Sequence, residues 1–519
     1  MYYFIPAWYP QSNWWDDPTS KWYRPQSVSF DDTLSQMKLF KKHRDALQVL
    51  VLNYYPTLRY FLHRYDVDEV PSWSAFDVIQ DIKEPSVRVL SIDDLSWPEG
   101  TEFVHTPFVM VAFHANQKIA TIEFGIEGQL LFVEQFEQGE LVKRLTFDDR
   151  GFLSSITHYR HEQPHSRDYL NLDGKWQIRQ DLVSGQITVN PACAHRFHKA
   201  FYERIEDLIA EVLIAYTKTA AFEMPDFILS AASPAHSSLL VTAFDKKDLI
   251  WSFFKKRFPM TDKEQILELL SGVKLALTDS ISSQRQLSQL SQTNLQQVPL
   301  YDSRLSLGKS REMKNQEIYL YSDGLTLEQL TNTLALTFEM MAENDSLILK
   351  VISYKAALDE QAQMTDIITR LLEEAATPYL YLAAQETLAA ENDVDDSQEQ
   401  EKSRVQLHFL TTEIAILAQL ETARLVVDLS DAPDNYTQVA AISAGIPQIN
   451  TVETEYVTHQ ENGLIITSDE ELLAGYHYYL DTLTNWNHSL IYSVKKISSF
   501  TSDELVNKIE TGMRKGSHV

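Results

Sequence analysis

The chain has 519 residues, 45 basic and 73 acidic, which gives a net charge of −28 and a pI near 4.9. Hydrophobic residues make up 44% and charged residues 23%, the balance of a globular protein and not of a disordered one. The length implies about two to four domains, and the acid excess excludes a nucleic-acid binder, which needs a concentrated positive surface.

Glycine is scarce: 15 in 519, with none in residues 1–99. Loops that cradle phosphate need glycine so that backbone N–H groups can approach the anion. No G-x-G-x-x-G, G-x-x-x-x-G-K-[ST] or G-x-S-x-G occurs, which removes several large enzyme classes. Cys193 is the only cysteine, so an internal disulfide is impossible and a reducing compartment fits. The start, Met-Tyr-Tyr-Phe-Ile-Pro, has no basic region before an apolar stretch, and nothing approaches the ~18 apolar residues of a membrane span. A cytoplasmic protein is expected, peripheral at the cytoplasmic face of the membrane at most.

Residues 2–5 form an apolar strand that stops at Pro6; residues 33–47 have helical spacing, and residues 47–53 read as a second buried strand. Strand, helix, strand begins an α/β domain. The loop after the first strand, residues 6–25, lacks glycine but carries Trp8, Trp14, Trp15 and Trp22, four of the nine tryptophans. Such aromatics either stack on sugars or anchor a partner protein, or they pack the loop onto its own lobe. Trp14, Trp15 and Trp22 are therefore candidate partner or glycan contacts.

Seven of the fifteen glycines fall between Gly100 and Gly185, beside turn formers such as Asp149-Arg150-Gly151 and Asp173-Gly174. Ala120, Ile122, Phe124 and Ile126 alternate with Thr121, Glu123 and Gly125, a period of two. Residues 97–192 are expected to be an antiparallel β-meander inserted into the first α/β domain. That domain resumes with a helical pattern over 197–216 and strands near 227–230 and 273–278. Residues 280–292 read as an exposed helix or linker. The histidine groups His158/His161/His165 and His195/His198 sit in polar loop sequence and near a helix start, and no metal role is assigned to them.

Residues 251–258, Trp-Ser-Phe-Phe-Lys-Lys-Arg-Phe, combine aromatics with three cations. Lys255, Lys256 and Arg257 are candidate contacts to an anionic membrane. The competing reading is a helix with Phe253, Phe254 and Phe258 in the core and the three cations in solvent.

A second run of strands follows at 318–321, 347–352, 379–382, 405–409, 425–429, 447–450 and 464–467, with helical stretches between the early ones, as in a parallel sheet covered on both faces. Residues 391–402 hold six acidic side chains, a solvated loop. Residues 503–515 are helical. The fold class is α/β with a discontinuous N-terminal Rossmann-like domain (1–96 and 193–310), the inserted sheet (97–192), a C-terminal Rossmann-like domain (311–495) and a final helical segment (496–519) that can cross back to the first lobe.

The stretch from Asp428 carries the most specific pattern. Ala441, Gly445 and Pro447, followed by Asn462-Gly463-Leu464, resemble the nucleotide-sugar half of retaining GT-B glycosyltransferases. The two glutamates that grip the donor in those enzymes fall here on Ala432 and Ala440, and alanine has no acceptor atoms. The phosphate-binding Arg and Lys are also missing: residues 318–349 contain neither, and Asp323 and Glu328 stand there instead, where they would repel a diphosphate. The frame with an inserted meander is similar to the glycosyltransferases of serine-rich-repeat adhesins. With the start Tyr-Tyr-Phe-Ile-Pro-Ala-Trp-Tyr, the meander segment Asp149-Arg-Gly-Phe-Leu and the altered C-terminal lobe, it resembles the family of first accessory secretory proteins (Asp family) of the accessory Sec system. The resemblance implies a non-enzymatic component without cofactor that supports export of glycosylated serine-rich-repeat adhesins. The implied partners are the second and third accessory secretory proteins, the accessory SecA-type ATPase and the glycosylated preprotein. The alternative is an active GT-B enzyme that uses a nucleotide sugar to modify a serine-rich protein.

Overall fold

Three sheets organise the computed structural model, which describes residues 1–10, 13–18, 31–43, 45–83, 88–125, 128–254, 257–258, 260–299, 307–355, 357–374 and 404–515. The first sheet is parallel and has seven strands, in the order Asn294–Gln297, Leu275–Thr278, Leu249–Phe253, Phe227–Ala231, Tyr2–Ile5, Leu47–Val51, Ser72–Ser74. The chain starts in the middle, winds outward to Ser72–Ser74, and returns to the other side of Tyr2–Ile5 at Phe227–Ala231. This reversal creates a topological switch point between those two strands, the usual place for a ligand in an open α/β sheet. The second parallel sheet runs Val405–Phe409, Leu347–Ser353, Gln316–Tyr321, Ala423–Asp428, Gln448–Asn450, Gly463–Ile465. Its switch point lies between Gln316–Tyr321 and Ala423–Asp428. The strand expected at 379–382 and the acidic loop at 391–402 lie outside the described residues.

The detour between Ser72–Ser74 and Phe227–Ala231 is a ten-stranded antiparallel sheet, from Glu102–His105 to Phe201–Tyr202, with every strand beside its neighbour in sequence. Its later strands share a core with the first lobe: Tyr169, Ile178, Ile187 and Val189 join Tyr54, Phe76 and Leu208. Its earlier strands close over a smaller cluster that includes Leu90, Met110, Ile122 and Phe147. The alternation of residues 120–124 holds, but its polar side does not face water. Glu123 is only 2% exposed, because the first lobe covers that face.

The segment 251–258 keeps the aromatic core of the competing reading, with Phe253, Phe254 and Phe258 buried, but it is not a helix and Arg257 is not in solvent. Leu249–Phe253 is a strand buried at every position, so the aromatic run belongs to the interior of a parallel sheet, where both faces are covered. Lys255 and Lys256 lie outside the described residues. Arg257 is turned inward: its guanidinium meets Asp32 through Nη1–Oδ1 at 2.5 Å and Nη2–Oδ2 at 2.8 Å, and donates to the carbonyls of Ala232 and Ser252. The reason is Asp32, which is fully buried at the head of the helix Asp32–His43 and needs a counter-charge there.

The helix Ser502–Lys515 leaves the second lobe and packs on the first. Leu505, Val506, Ile509 and Met513 join Leu34, Met37, Phe40 and Leu277 in one cluster. Polar ties fix its register: Tyr2 donates to Glu510 at 2.5 Å and Asn294 to the carbonyl of Gly512 at 3.1 Å. Ile509→Ala should lower the unfolding free energy by about 2–4 kcal/mol through the cavity it leaves. Lys515→Ala, on the exposed end, should change it by less than about 0.5 kcal/mol. Urea denaturation of both variants checks the contrast.

Candidate functional site

Loops at the C-terminal ends of the two parallel sheets meet across a cleft. Glu455, beyond the strand Gln448–Asn450, accepts from the Ile281 backbone N–H at 3.4 Å and from Gln297 Nε2 at 3.1 Å in the first lobe. Arg285 pairs with Glu453 at 3.2 Å along the same seam. Both switch points therefore open towards the cleft, and the question is what stands in each.

In the first lobe the chain's own side chains occupy the switch point. Tyr9, in the loop after Tyr2–Ile5, donates to His236 Nδ1 at 2.5 Å, while His236 Nε2–H donates to the Ala231 carbonyl at 2.8 Å. These two bonds fix the tautomer. Burial holds the imidazole down to about 3, so it is neutral at physiological pH. Beside it stands the Arg257–Asp32 pair. Against the cost of burial, the guanidinium holds Asp32 below the ordinary carboxylate range. Burial and then the charge of Asp32 push the neighbouring Asp31 up to about 6, although Trp8 Nε1 donates to it at 3.1 Å. Trp8 is buried, and Trp14 and Trp15 are half-buried against the first-lobe core. Trp22 lies outside the described residues. Neither His236 nor the Asp31–Asp32 pair stood out in the sequence; the sole signal for His236 was its place just beyond a strand.

Three carboxylates stand at the second switch point. Asp323, in the turn after Gln316–Tyr321, accepts from Ser353 Oγ at 2.5 Å and the Tyr354 N–H at 2.7 Å. Asp428, fully buried at the end of its strand, accepts from Ser430 Oγ at 2.6 Å and the Asp434 N–H at 2.8 Å. Asp434 caps the helix Asn435–Ala444 by accepting from Thr437 N–H at 2.9 Å. Burial, and after it the charge of Asp434, raises Asp428 to about 6. Burial likewise raises Asp323, with Asp434 again adding to it. The two turns also touch: a Cβ on Gly324 would lie 2.4 Å from Ser430 Cβ.

Of the sequence-assigned positions, Ala432 is exposed in the loop before that helix, and Ala440 is buried among Tyr319, Tyr354 and Tyr436. Glu328 is exposed in the first turn of the helix Leu327–Glu343, away from the carboxylate trio's hydrogen bonds. No cation is close to Asp323 along the chain, yet the fold brings Lys355 near enough to ease its charge; the partner of Lys355 itself is Glu360, at 3.7 Å. The residues that carry the glycosyltransferase-like pattern hold turns and helix ends. Gly445 adopts φ +74° to end its helix, where a Cβ would lie 2.2 Å from Leu490. Asn462 holds a turn by accepting from Thr458 N–H and donating to the Tyr456 carbonyl, both at 2.8 Å. His158 is within 3.1 Å of Asp168, which is also bound by Arg179. Among the described residues no three His, Cys, Asp or Glu side chains are placed to share a metal ion.

The neutral His236 makes stability pH-dependent in a definable direction. Its folded value is depressed from 6.5, so its contribution is complete above pH 6.5 and is lost as pH falls towards 3. The stability gap between the wild type and His236→Gln should therefore narrow on acidification from pH 6.5 to 4, by up to about 1.4 kcal/mol per pH unit. Urea unfolding at the two pH values measures it; a constant gap would contradict burial of the neutral ring.

Comparison with known proteins agrees with this geometry. The family model for accessory secretory protein 1, an accessory Sec system protein, matches residues 1–516. The chain is 35% identical to the accessory Sec system protein of that family from Streptococcus gordonii, over 99% of each chain. It is similar to a chain in the crystal structure of accessory secretory proteins 1, 2 and 3 of Streptococcus pneumoniae, with TM-score 0.82, 33% identity, and coverage of 100% of this chain and 99% of that one. The pneumococcal O-GlcNAc transferase GtfA, solved with UDP and GlcNAc, aligns with TM-score 0.68 at 13% identity, over 100% of this chain and 99% of that one, a likeness of fold that makes the architecture GT-B. The chain belongs to the accessory secretory protein 1 family of the accessory Sec system.

Proposed function

We propose that this chain is a non-catalytic, glycosyltransferase-shaped subunit of an export assembly, which it forms with the second and third accessory secretory proteins. In this reading it works in the cytoplasm with the accessory SecA-type ATPase to deliver glycosylated serine-rich-repeat adhesins for export. The observation that carries the non-catalytic part is the trio Asp323, Asp428 and Asp434 at the second switch point, with alanine at 432 and 440. A diphosphate needs cations, N–H donors or a metal ion at that place. Here the available N–H groups of Tyr354 and Asp434 are already spent on carboxylates. The likeness to a chain of the pneumococcal three-protein structure supports the assembly part.

Trp14 and Trp15 offer a half-buried aromatic surface for a partner or a glycan. Among the described residues no helix is long and apolar enough to cross a membrane. Within the segment 251–258, any contact with anionic lipid would rest on Lys255 and Lys256, since Arg257 is committed to Asp32.

Co-expression with the second and third accessory secretory proteins should yield a stable three-protein complex by size-exclusion chromatography. That complex should turn over neither UDP-glucose nor UDP-GlcNAc. Ala432→Glu with Ala440→Glu should not create turnover, and Ala440→Glu alone should cost about 3 kcal/mol or more, because it forces a charge among buried tyrosines. Released UDP above the buffer rate would overturn the proposal.

A further inference from the structure

Beneath the inserted sheet lies a cavity of about 190 Å³, bounded by the N-terminal loop, the loop after Leu47–Val51 and the face of the sheet that turns towards the first lobe. Strand register builds its floor. Arg144, Thr157 and Arg167 are directly paired across three neighbouring strands, with Glu134 outside the cavity as the next partner of Arg144, and Glu123, Phe132 and Thr146 form the adjacent row on the same face. The sheet thus presents a ladder of polar side chains where a covered face ordinarily presents apolar ones.

These side chains are held in place before any ligand arrives. Arg144 Nε and Nη2 donate to Glu134 Oε1 at 3.2 and 2.5 Å, and Thr121 donates to the other oxygen of Glu134 at 3.1 Å. Arg167 donates through Nε to Thr157 at 3.1 Å and binds Asp16 through both Nη atoms. A guanidinium has five N–H groups, so donors remain on Arg144 after Glu134 has taken two. Phe132 lies under Arg144 at 4.6 Å, and Tyr54 and Phe147 add apolar wall.

We infer that this cavity is a binding site for one neutral sugar ring. Size sets the first limit: about 190 Å³ lies below the range of pockets that hold drug-sized ligands. Charge sets the second: the lining carries Asp16, Asp17 and Glu123 against Arg144 and Arg167, or 2 − 3 = −1, which disfavours a phosphate or a carboxylate. Alternating carboxylate, guanidinium and hydroxyl groups suit a ligand whose every edge both donates and accepts, while the aromatic wall suits its C–H face. The site is separate from the carboxylate trio and from the question of catalysis, so it would survive failure of the scaffold reading.

Saturation-transfer NMR on the full chain, with glucose and N-acetylglucosamine as probes at about 20 mM, tests it, since so small a ligand binds at about millimolar strength. Transfer to at least one of them is expected. Thr146→Trp should abolish it by filling the cavity, and the near-isosteric Thr146→Val, which keeps the strand, should weaken it roughly fivefold through one lost hydrogen bond. Glucose 1-phosphate should bind more weakly than glucose. No transfer, transfer unchanged in both Thr146 variants, tighter binding of the phosphate, or transfer to an unglycosylated serine-rich peptide in place of the sugars would each overturn the proposal.

Discussion

Like charge in a confined place governs the second lobe. Asp323, Asp428 and Asp434 crowd the mouth of its sheet, and burial together with the charge of Asp434 drives Asp323 and Asp428 above their ordinary range. Such carboxylates persist because each is hydrogen-bonded: Ser353, Ser430, Thr437 and the backbone N–H groups of Tyr354 and Asp434 all donate to them. Those donors are the resources a nucleotide-binding lobe would spend on phosphate. Here they stabilise the lobe itself, and the Gly324–Ser430 contact closes the turns over the space.

The first lobe follows the same logic with other groups. Its switch point is taken by Tyr9 and His236, while Arg257 neutralises Asp32 below them. A helix that crosses from the second lobe then locks onto the first sheet through Ile509 and Tyr2–Glu510. A GT-B architecture remains, with the chain's own side chains at both switch points. At the junction with the inserted sheet, polar groups still face open space.

Much of the architecture was legible because periodicity reports burial. The apolar runs at 2–5, 47–53 and 347–352 became buried parallel strands, and the glycine-punctuated alternation of 97–192 became antiparallel sheet. The alanines at 432 and 440 were legible too, and they lack acceptor atoms whatever the fold. Polar partnerships across long sequence separations were not. Arg257 looked like one of three solvated cations until Asp32, 225 positions away, claimed it. Glu123 looked like the wet side of a strand, but a second element covers that face. Local pattern cannot distinguish a polar residue facing water from one facing another domain, and that is where the cavity and the His236 site lay hidden.

The central claim is that the second switch point repels what a glycosyltransferase would bind there. Isothermal titration calorimetry of the purified chain with UDP tests it most directly. The account predicts no binding heat at millimolar UDP, at pH 7.5 and with or without magnesium. Saturable UDP binding that is lost when Gly324 is replaced by a bulkier residue would show an open nucleotide site and contradict it.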